Sequence, residues 1–538
     1  MPDADATRLY IGLDLGTSGL KGVALARTGQ GKASARAAGA DGGDRADAAD
    51  LGVTANPTSV VVASSYARYP TRRPVAGAAE QDPADWLAAV VSVLGDLRAA
   101  TDPARWRGIG LAGMIPTLVT TDVGGEPTGP AITWQDSRAD PHGEELRERC
   151  GPDELYRATG QWVDGRYLLP MYLRLAADEP DRAAATATLL GAKDYVYAWL
   201  TGHAVTDPST ATGFGCYDLH TGDWHPGVIA AAAELAGSGL PALPAIAPSG
   251  SSRPLLAWLA DRFGSGQIPV CLGAADSVLG VFGLGARQPG QIGYVAGTSS
   301  VILGVTDRLV LDPAHRYFVT PMAREGQWGL EMDLLATGDA VSWLSSVVRG
   351  GGITSRGREA DLVAEATGID PRNAPIVLPY LSPGEQGALW DERLAGTVVG
   401  LHLGHGPAHL ARGLLNGIIL ESGRCLEVLD GVGGFGRELR VGGTSASHPV
   451  FLADLASATG RDVTVPSGAD AAYSAIGAAQ FAALSLDGVE PASAGSTRVY
   501  PSRDQAQEAI WHKLWLDFER ARLTITAFYH DDDQPGSR

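Results

Sequence analysis

A strand–turn–strand unit occurs twice in this chain, and the repeat limits its fold more than any other feature. The first copy is Tyr10-Ile11-Gly12-Leu13-Asp14-Leu15-Gly16-Thr17-Ser18-Gly19-Leu20-Lys21-Gly22-Val23-Ala24-Leu25. The second is Gln291-Ile292-Gly293-Tyr294-Val295-Ala296-Gly297-Thr298-Ser299-Ser300-Val301-Ile302-Leu303. In each, an apolar run stops at a Gly-Thr-Ser turn and a second apolar run follows, the pattern of a β-hairpin. Such a turn offers backbone N–H groups and hydroxyls to a phosphate tail, and the first copy adds the ammonium of Lys21. The carboxylate of Asp14, at the strand end, can hold a hydrated Mg²⁺ beside those phosphates. The glycine spacing is neither that of a Walker A loop nor that of a dinucleotide fingerprint. Taken singly, each hairpin could be a plain glycine turn, Asp14 an Asx turn and Lys21 a solvated charge. Taken together, they predict two related α/β domains that grip one nucleotide from opposite sides.

At 538 residues the chain exceeds what one core supports, so two large domains are expected. A net charge of −19 argues against broad binding to nucleic acid or an anionic membrane. A local pocket for ATP is compatible with it. Cys150, Cys216, Cys271 and Cys425 are scattered with no C-x-x-C, which suggests buried, reduced thiols in a cytoplasmic protein. The start, Met-Pro-Asp-Ala-Asp, has no apolar signal segment, and no apolar run reaches the length of a membrane span.

Residues 28–58 are dominated by Gly, Ala, Asp and Ser and read as a mobile surface insertion. A strand is expected at Ser59–Ala63. A helix over 83–99 is announced by Asp82-Pro83, and further strands by Ile109–Ala112 and Pro116–Thr120. Helical patterns then alternate with short strands to about residue 284. Helices are expected to dominate from 337 to 480, with a Gly-rich break at Val441-Gly442-Gly443-Thr444-Ser445. The segment Trp511–Phe518 has the spacing of a docking helix, and the last ten residues read as frayed. His402, His405 and His409 lack a completing Cys, Asp or Glu, so a loop and a helix cap are favoured over a metal site. Asp276 follows the small-residue turn Gly273-Ala274-Ala275 and precedes the apolar Val278-Leu279-Gly280-Val281. A carboxylate at such a strand–helix junction is either an N-cap or a base aimed into a cleft, where the helix dipole favours its ionised form.

Further motifs occur in a fixed order: Ala79-Glu80-Gln81-Asp82-Pro83-Ala84-Asp85-Trp86, Trp134-Gln135-Asp136-Ser137-Arg138, Lys193-Asp194-Tyr195, Thr206-Asp207, Gly273-Ala274-Ala275-Asp276, Leu378-Pro379-Tyr380-Leu381 with Gly384-Glu385, and Gly442-Gly443-Thr444. With both hairpins, they make the chain resemble the FGGY family of carbohydrate kinases, most of all its xylulokinase branch. The resemblance implies an α/β fold of two ribonuclease H-like domains, as in actin-like ATPases, over 8–284 and 285–530 with a cleft between them. It implies transfer of a phosphoryl group from ATP, with Mg²⁺, to a sugar hydroxyl, and it is compatible with a homodimer. By position, Asp276 would be the general base and Asp14 the metal ligand. Gly16, Thr17, Ser18, Lys21, Gly297, Thr298, Gly442, Gly443 and Thr444 would bind ATP. Ile115, Pro116, Trp134, Arg166, Asp276 and Ser277 would face the sugar, with Asp136 a further candidate.

The sugar side departs from the xylulokinase pattern. Where that branch has S-G-Q-M-H-G, this chain has Ala112-Gly113-Met114-Ile115-Pro116-Thr117, and Ser277 replaces the usual Asn after the base. Ile and Pro side chains cannot hydrogen-bond a polyol. Another acceptor (ribulose, a deoxy sugar, a sugar alcohol, glycerol or an autoinducer-like diol) is therefore the alternative to xylulose. A non-catalytic sensor on the same fold is disfavoured by the intact Asp14 and Asp276. An actin-like chaperone or filament ATPase would lack the A-E-Q-D-P and W-x-D-x-R elements.

Overall fold

The structure, a computed structural model, describes residues 8–27, 59–237, 239–297, 299–349, 356–382, 387–391, 393–443, 448–466, 472–491, 497–502 and 505–530. The 28–58 insertion, Thr298, Gly384, Glu385, Thr444 and most of the C-terminal tail lie outside them. Two large sheets organise the molecule. In the first, the strands run in the order Ser59–Arg68, Gly19–Arg27, Arg8–Gly16, Trp106–Gly113, Pro269–Ala275, with Ser252–Pro254 at the edge. The first three form an antiparallel meander, and Trp106–Gly113 and Pro269–Ala275 then add in parallel. In the second sheet the inner order is Trp328–Leu334, Ser300–Thr306, Ile292–Ala296, Glu438–Gly442, Asp462–Pro466. Here too a three-stranded antiparallel meander is extended by two parallel strands. Phe318–Pro321 and Thr497–Tyr500 close its edges. The ribonuclease H-like sheet that the family resemblance implies is thus built twice.

Glu438–Gly442 and Asp462–Pro466, in a stretch expected to be mostly helical, supply the two parallel strands of the second sheet. Each is five residues long, too short to show a period against the helices around it. Trp328–Leu334 is likewise a strand that the sequence reading did not mark.

The helix Pro83–Ala100 shows how local chemistry fixes an element. Asp82 Oδ1 accepts from the Ala84 amide at 3.0 Å, and Pro83 takes the first helical position, where a missing N–H costs nothing. Trp86, Val90, Val93, Leu94 and Leu97 form its buried stripe, packed beneath the first hairpin with Leu9, Ile11 and Leu13. In the second lobe, the helix Gln505–His530 buries Trp511 and Phe518 in the core, as expected of a docking helix.

The lobes are joined by a pair of crossing helices, Asp276–Gly283 and Tyr473–Asp487. The crossing is backbone-close: a Cβ on Gly477 would stand 1.8 Å from the Leu279 carbonyl oxygen. The same helix lies on the first sheet, where a Cβ on Gly12 would stand 1.8 Å from the Ala475 carbonyl oxygen. Only glycine permits either approach. Among the described residues, no helix is long and apolar enough to cross a membrane.

Candidate active site

Asp276 is the first residue of the helix that follows strand Pro269–Ala275. Its Oδ1 accepts from the Ser277 amide at 2.9 Å, and its carbonyl accepts from Ser474 Oγ at 3.0 Å. A buried polar chain fixes the backbone just before it. Lys193 Nζ lies 3.0 Å from both Asp194 and Asp207, and donates to the Leu272 carbonyl at 3.2 Å. Asp207 in turn accepts from Ser209 Oγ, which accepts the Ala275 amide at 2.9 Å. Lys193, Asp194 and Asp207 are almost wholly buried, and the one ammonium is shared by the two carboxylates. The Lys193-Asp194 and Thr206-Asp207 motifs therefore hold the turn that carries Asp276.

Asp276 opens onto a cavity of about 140 Å³. Thr17, Ile115, Pro116, Trp134 and Arg166 line it from the first lobe, and Ser299, Val301, Phe318, Glu331 and Asp333 from the second. Ser277 completes the wall beside Asp276. Seven residues expected at the site thus meet in one place: Thr17, Ile115, Pro116, Trp134, Arg166, Asp276 and Ser277. Glu331 and Asp333 were not anticipated. Their signal was present in Leu330-Glu331-Met332-Asp333-Leu334, where strict alternation puts two carboxylates on one strand face and three apolar side chains in the core.

The electrostatics of the site are dominated by its acids. Burial, reinforced by the charge of Asp14 and then of Glu331 and Asp333, holds the Asp276 carboxyl well above the usual carboxylate range; the Ser277 amide opposes this. The helix-dipole expectation of a readily ionised Asp276 is therefore reversed, because desolvation and like charges outweigh a helix terminus. Burial also raises Asp14, against the pull of Lys21. It pushes Asp333 up to about 8, with Glu331 adding to the rise and Arg166 opposing it. Glu331 is raised by burial, with the Ser277 and Thr320 hydroxyls opposing.

The other described residues expected at the site are not in the cavity lining. Asp14 and Lys21 face each other across the first hairpin. Asp14 is 5% exposed, and its Oδ1 is buried with no hydrogen-bond partner among the described residues. The hairpin turn is tied down from outside: Gln81 Nε2 donates to the Thr17 carbonyl at 2.7 Å, and Trp134 Nε1 to Thr17 Oγ1 at 3.1 Å. Tyr69 donates to the Gly16 carbonyl and Tyr66 to that of Ser18. Trp86 Nε1 donates to Gln81 Oε1 at 2.8 Å, so the A-E-Q-D-P-x-x-W element is a brace for the turn. Gly297, in the second turn, donates to the Ser299 carbonyl at 2.8 Å. Gly442 ends strand Glu438–Gly442, and Gly443 has φ +101° with its Cβ position 2.1 Å from the Ala296 carbonyl oxygen. Glycine at 443 is thus dictated by contact between neighbouring strands of the protein itself.

Asp136 does not line the cavity. Its carboxylate accepts from the Ala79 amide at 2.8 Å and from Arg138, which also bonds Glu80 at 2.6 Å. The W-x-D-x-R element is in this part a buried brace. His409 Nδ1 accepts from the Gly406 amide at 3.3 Å, the helix-cap reading of the histidine cluster. Among the described residues all four cysteines are free.

The donor set near Asp14 suits a hydrated cation better than a caged one. Among the described residues, no group of three His, Cys, Asp or Glu could enclose a metal. A single buried carboxylate with an unused oxygen is what Mg²⁺ needs when water and phosphate oxygens supply its other ligands.

The N-terminal domain of the FGGY family of carbohydrate kinases matches residues 52–283, and its C-terminal domain residues 293–486. The xylulose kinase of Escherichia coli strain K12 is 26% identical over 483 residues, covering 89% of this chain and 90% of that protein. The gluconokinase of Bacillus subtilis strain 168 is 23% identical over 421 residues, covering 77% and 75%. The crystal structure of xylulose kinase from Rhodospirillum rubrum superposes with a TM-score of 0.78 at 25% identity, covering 97% of this chain and 100% of that one. With two ribonuclease H-like sheets, an acidic cavity between them and both family domains matched along most of its length, the chain belongs to the FGGY family and is an ATP-dependent carbohydrate kinase.

Proposed function

We propose that the protein phosphorylates a hydroxyl of a ketose or related polyol, xylulose being the first candidate, with Asp276 as general base. The observation that carries this reading is the position of Asp276. It opens a helix between the lobes, its backbone is held by a buried network, and it lines a cavity to which both lobes contribute. A sugar hydroxyl is a weak nucleophile and needs a proton acceptor as its oxygen approaches phosphorus. In the proposed reaction the Asp276 carboxylate accepts that proton. The substrate oxygen bonds to the γ-phosphorus, the bond from that phosphorus to the bridging oxygen breaks, and ADP leaves. The raised proton affinity of Asp276 matches it to this task.

The turns at Gly16–Ser18 and Gly297–Ser299 would hold the phosphates, their backbone N–H groups replacing lost water. Asp14 would hold Mg²⁺ through the oxygen it leaves unused, and the bound ion would neutralise charge on the transferring group. Trp134, fixed to Thr17 at 3.1 Å, offers a flat apolar surface to the carbon skeleton next to the phosphate turn. The test is Asp276→Asn, which keeps the shape and removes the base. Turnover should fall by roughly 10²- to 10⁴-fold while nucleotide affinity stays at the wild-type value. An Asp276→Asn enzyme that turns over near the wild-type rate would overturn the assignment.

A further inference from the structure

The walls of the cavity differ in chemistry, and the difference bears on which acceptors fit. This inference rests on the kinase reading above. On the side of the second lobe, Glu331 and Asp333 stand two residues apart on strand Trp328–Leu334 and share the face that lines the cavity. Asp276 is a third carboxylate in the same wall. Among the described residues, the one guanidinium in the lining, Arg166, is paired with Asp164: its Nε lies 3.1 and 3.0 Å from the two carboxylate oxygens, and its Nη2 lies 2.6 Å from one. Among the described residues, no other Lys or Arg lines the cavity. The lining therefore carries three carboxyl groups whose burial already disfavours their charged forms, and a further anion placed among them is disfavoured for the same reason.

Two further observations point to a donor-bearing, uncharged guest. Glu331 is already engaged, since Thr320 Oγ1 donates to its Oε2 at 2.8 Å. Asp333 is not: its Oδ1 is buried without a hydrogen-bond partner among the described residues. A buried acceptor left unmet is a position where a ligand hydroxyl gains a bond at no loss to the protein. Ile115 and Pro116, from the first lobe, and Phe318, the cross-strand neighbour of Glu331, present carbon surface to the same space. A guest with both hydroxyls and carbon surface satisfies both. A guest carrying a carboxylate meets three buried carboxyl groups, and among the described residues the one guanidinium in the lining is already paired with Asp164.

We propose that Asp333, backed by Glu331, is a specificity-determining residue that accepts a hydroxyl of an uncharged polyol or ketose and excludes the corresponding sugar acid. Relatives named for a neutral ketose and for a sugar acid both match this chain, so the family alone does not decide the point. The experiment pairs each neutral acceptor with the aldonate of equal carbon number. It is run on the full chain with ADP release as one readout and intrinsic tryptophan fluorescence on binding, with no nucleotide present, as the other. Wild type should bind and phosphorylate the neutral member and discriminate against the aldonate by about a hundredfold. Asp333→Asn, close in shape, should raise KM for the neutral acceptor more than it lowers kcat, and narrow the discrimination about tenfold. Preference of wild type for the aldonate, or an unchanged ratio in Asp333→Asn with neutral KM unmoved, would overturn the inference. If no acceptor is turned over but the fluorescence titration still favours the neutral member, the kinase reading fails and only the binding preference assigned to Asp333 survives. Tighter binding of the aldonate in that titration sinks the inference whatever the turnover.

Discussion

At Asp276, burial and three acidic neighbours act in the same direction. A base must be ionised to accept a proton, so kcat/KM should fall as pH drops through an apparent pKa above the ordinary carboxylate range. The sign of one perturbation follows. The charge of Asp333 is among the causes that raise Asp276, so Asp333→Asn should move the acid limb of the profile to lower pH. A pH profile of kcat/KM on both enzymes checks this, and a limb that stays in place contradicts it. Sequence pattern located Asp276 but misjudged its ionisation. A helix N-terminus is visible in a string of residues, whereas Asp14, Glu331 and Asp333 become its neighbours only on folding. Gly443 shows the same division: its identity is plain in the sequence, but its closest contact is the Ala296 carbonyl of an adjacent strand.

The first hairpin depends on contacts from outside itself. Its turn is tied by Gln81, which is itself held by Trp86. Gln81→Leu would leave the Thr17 carbonyl and the Trp86 indole N–H without these partners. The expected loss is about 1–3 kcal/mol of stability, read as a lower midpoint of unfolding. KM for ATP should rise if, as proposed, the turn holds the phosphates; an unchanged KM for ATP would remove the brace from the mechanism. Helix Pro83–Ala100 was legible because Asp82-Pro83 is a local start signal. The strands Glu438–Gly442 and Asp462–Pro466 were not. Five residues enclosed by sheet neighbours have no local signature that separates them from the helices on either side.

On the scale of the molecule, two copies of one sheet topology face a shared cavity whose walls come from both lobes. Residues that must touch one small acceptor from two sides are best brought together by lobe movement, which also keeps water from the phosphoryl group. Adding a nucleotide analogue with a bound acceptor should therefore reduce the radius of gyration in solution X-ray scattering, and either ligand alone should reduce it less. A radius that ignores both ligands would count against closure. The sequence by itself determined the duplicated hairpins, the ordered motifs and hence the fold and the class of reaction, because each of those is written in residues adjacent along the chain. The tertiary structure alone added Glu331 and Asp333 to the cavity wall and set the electrostatics of the residues gathered there. Ile115, Arg166, Asp276 and Asp333 are far apart in sequence and on different elements, and their joint charge is fixed only once two sheets bring them to a single 140 Å³ space.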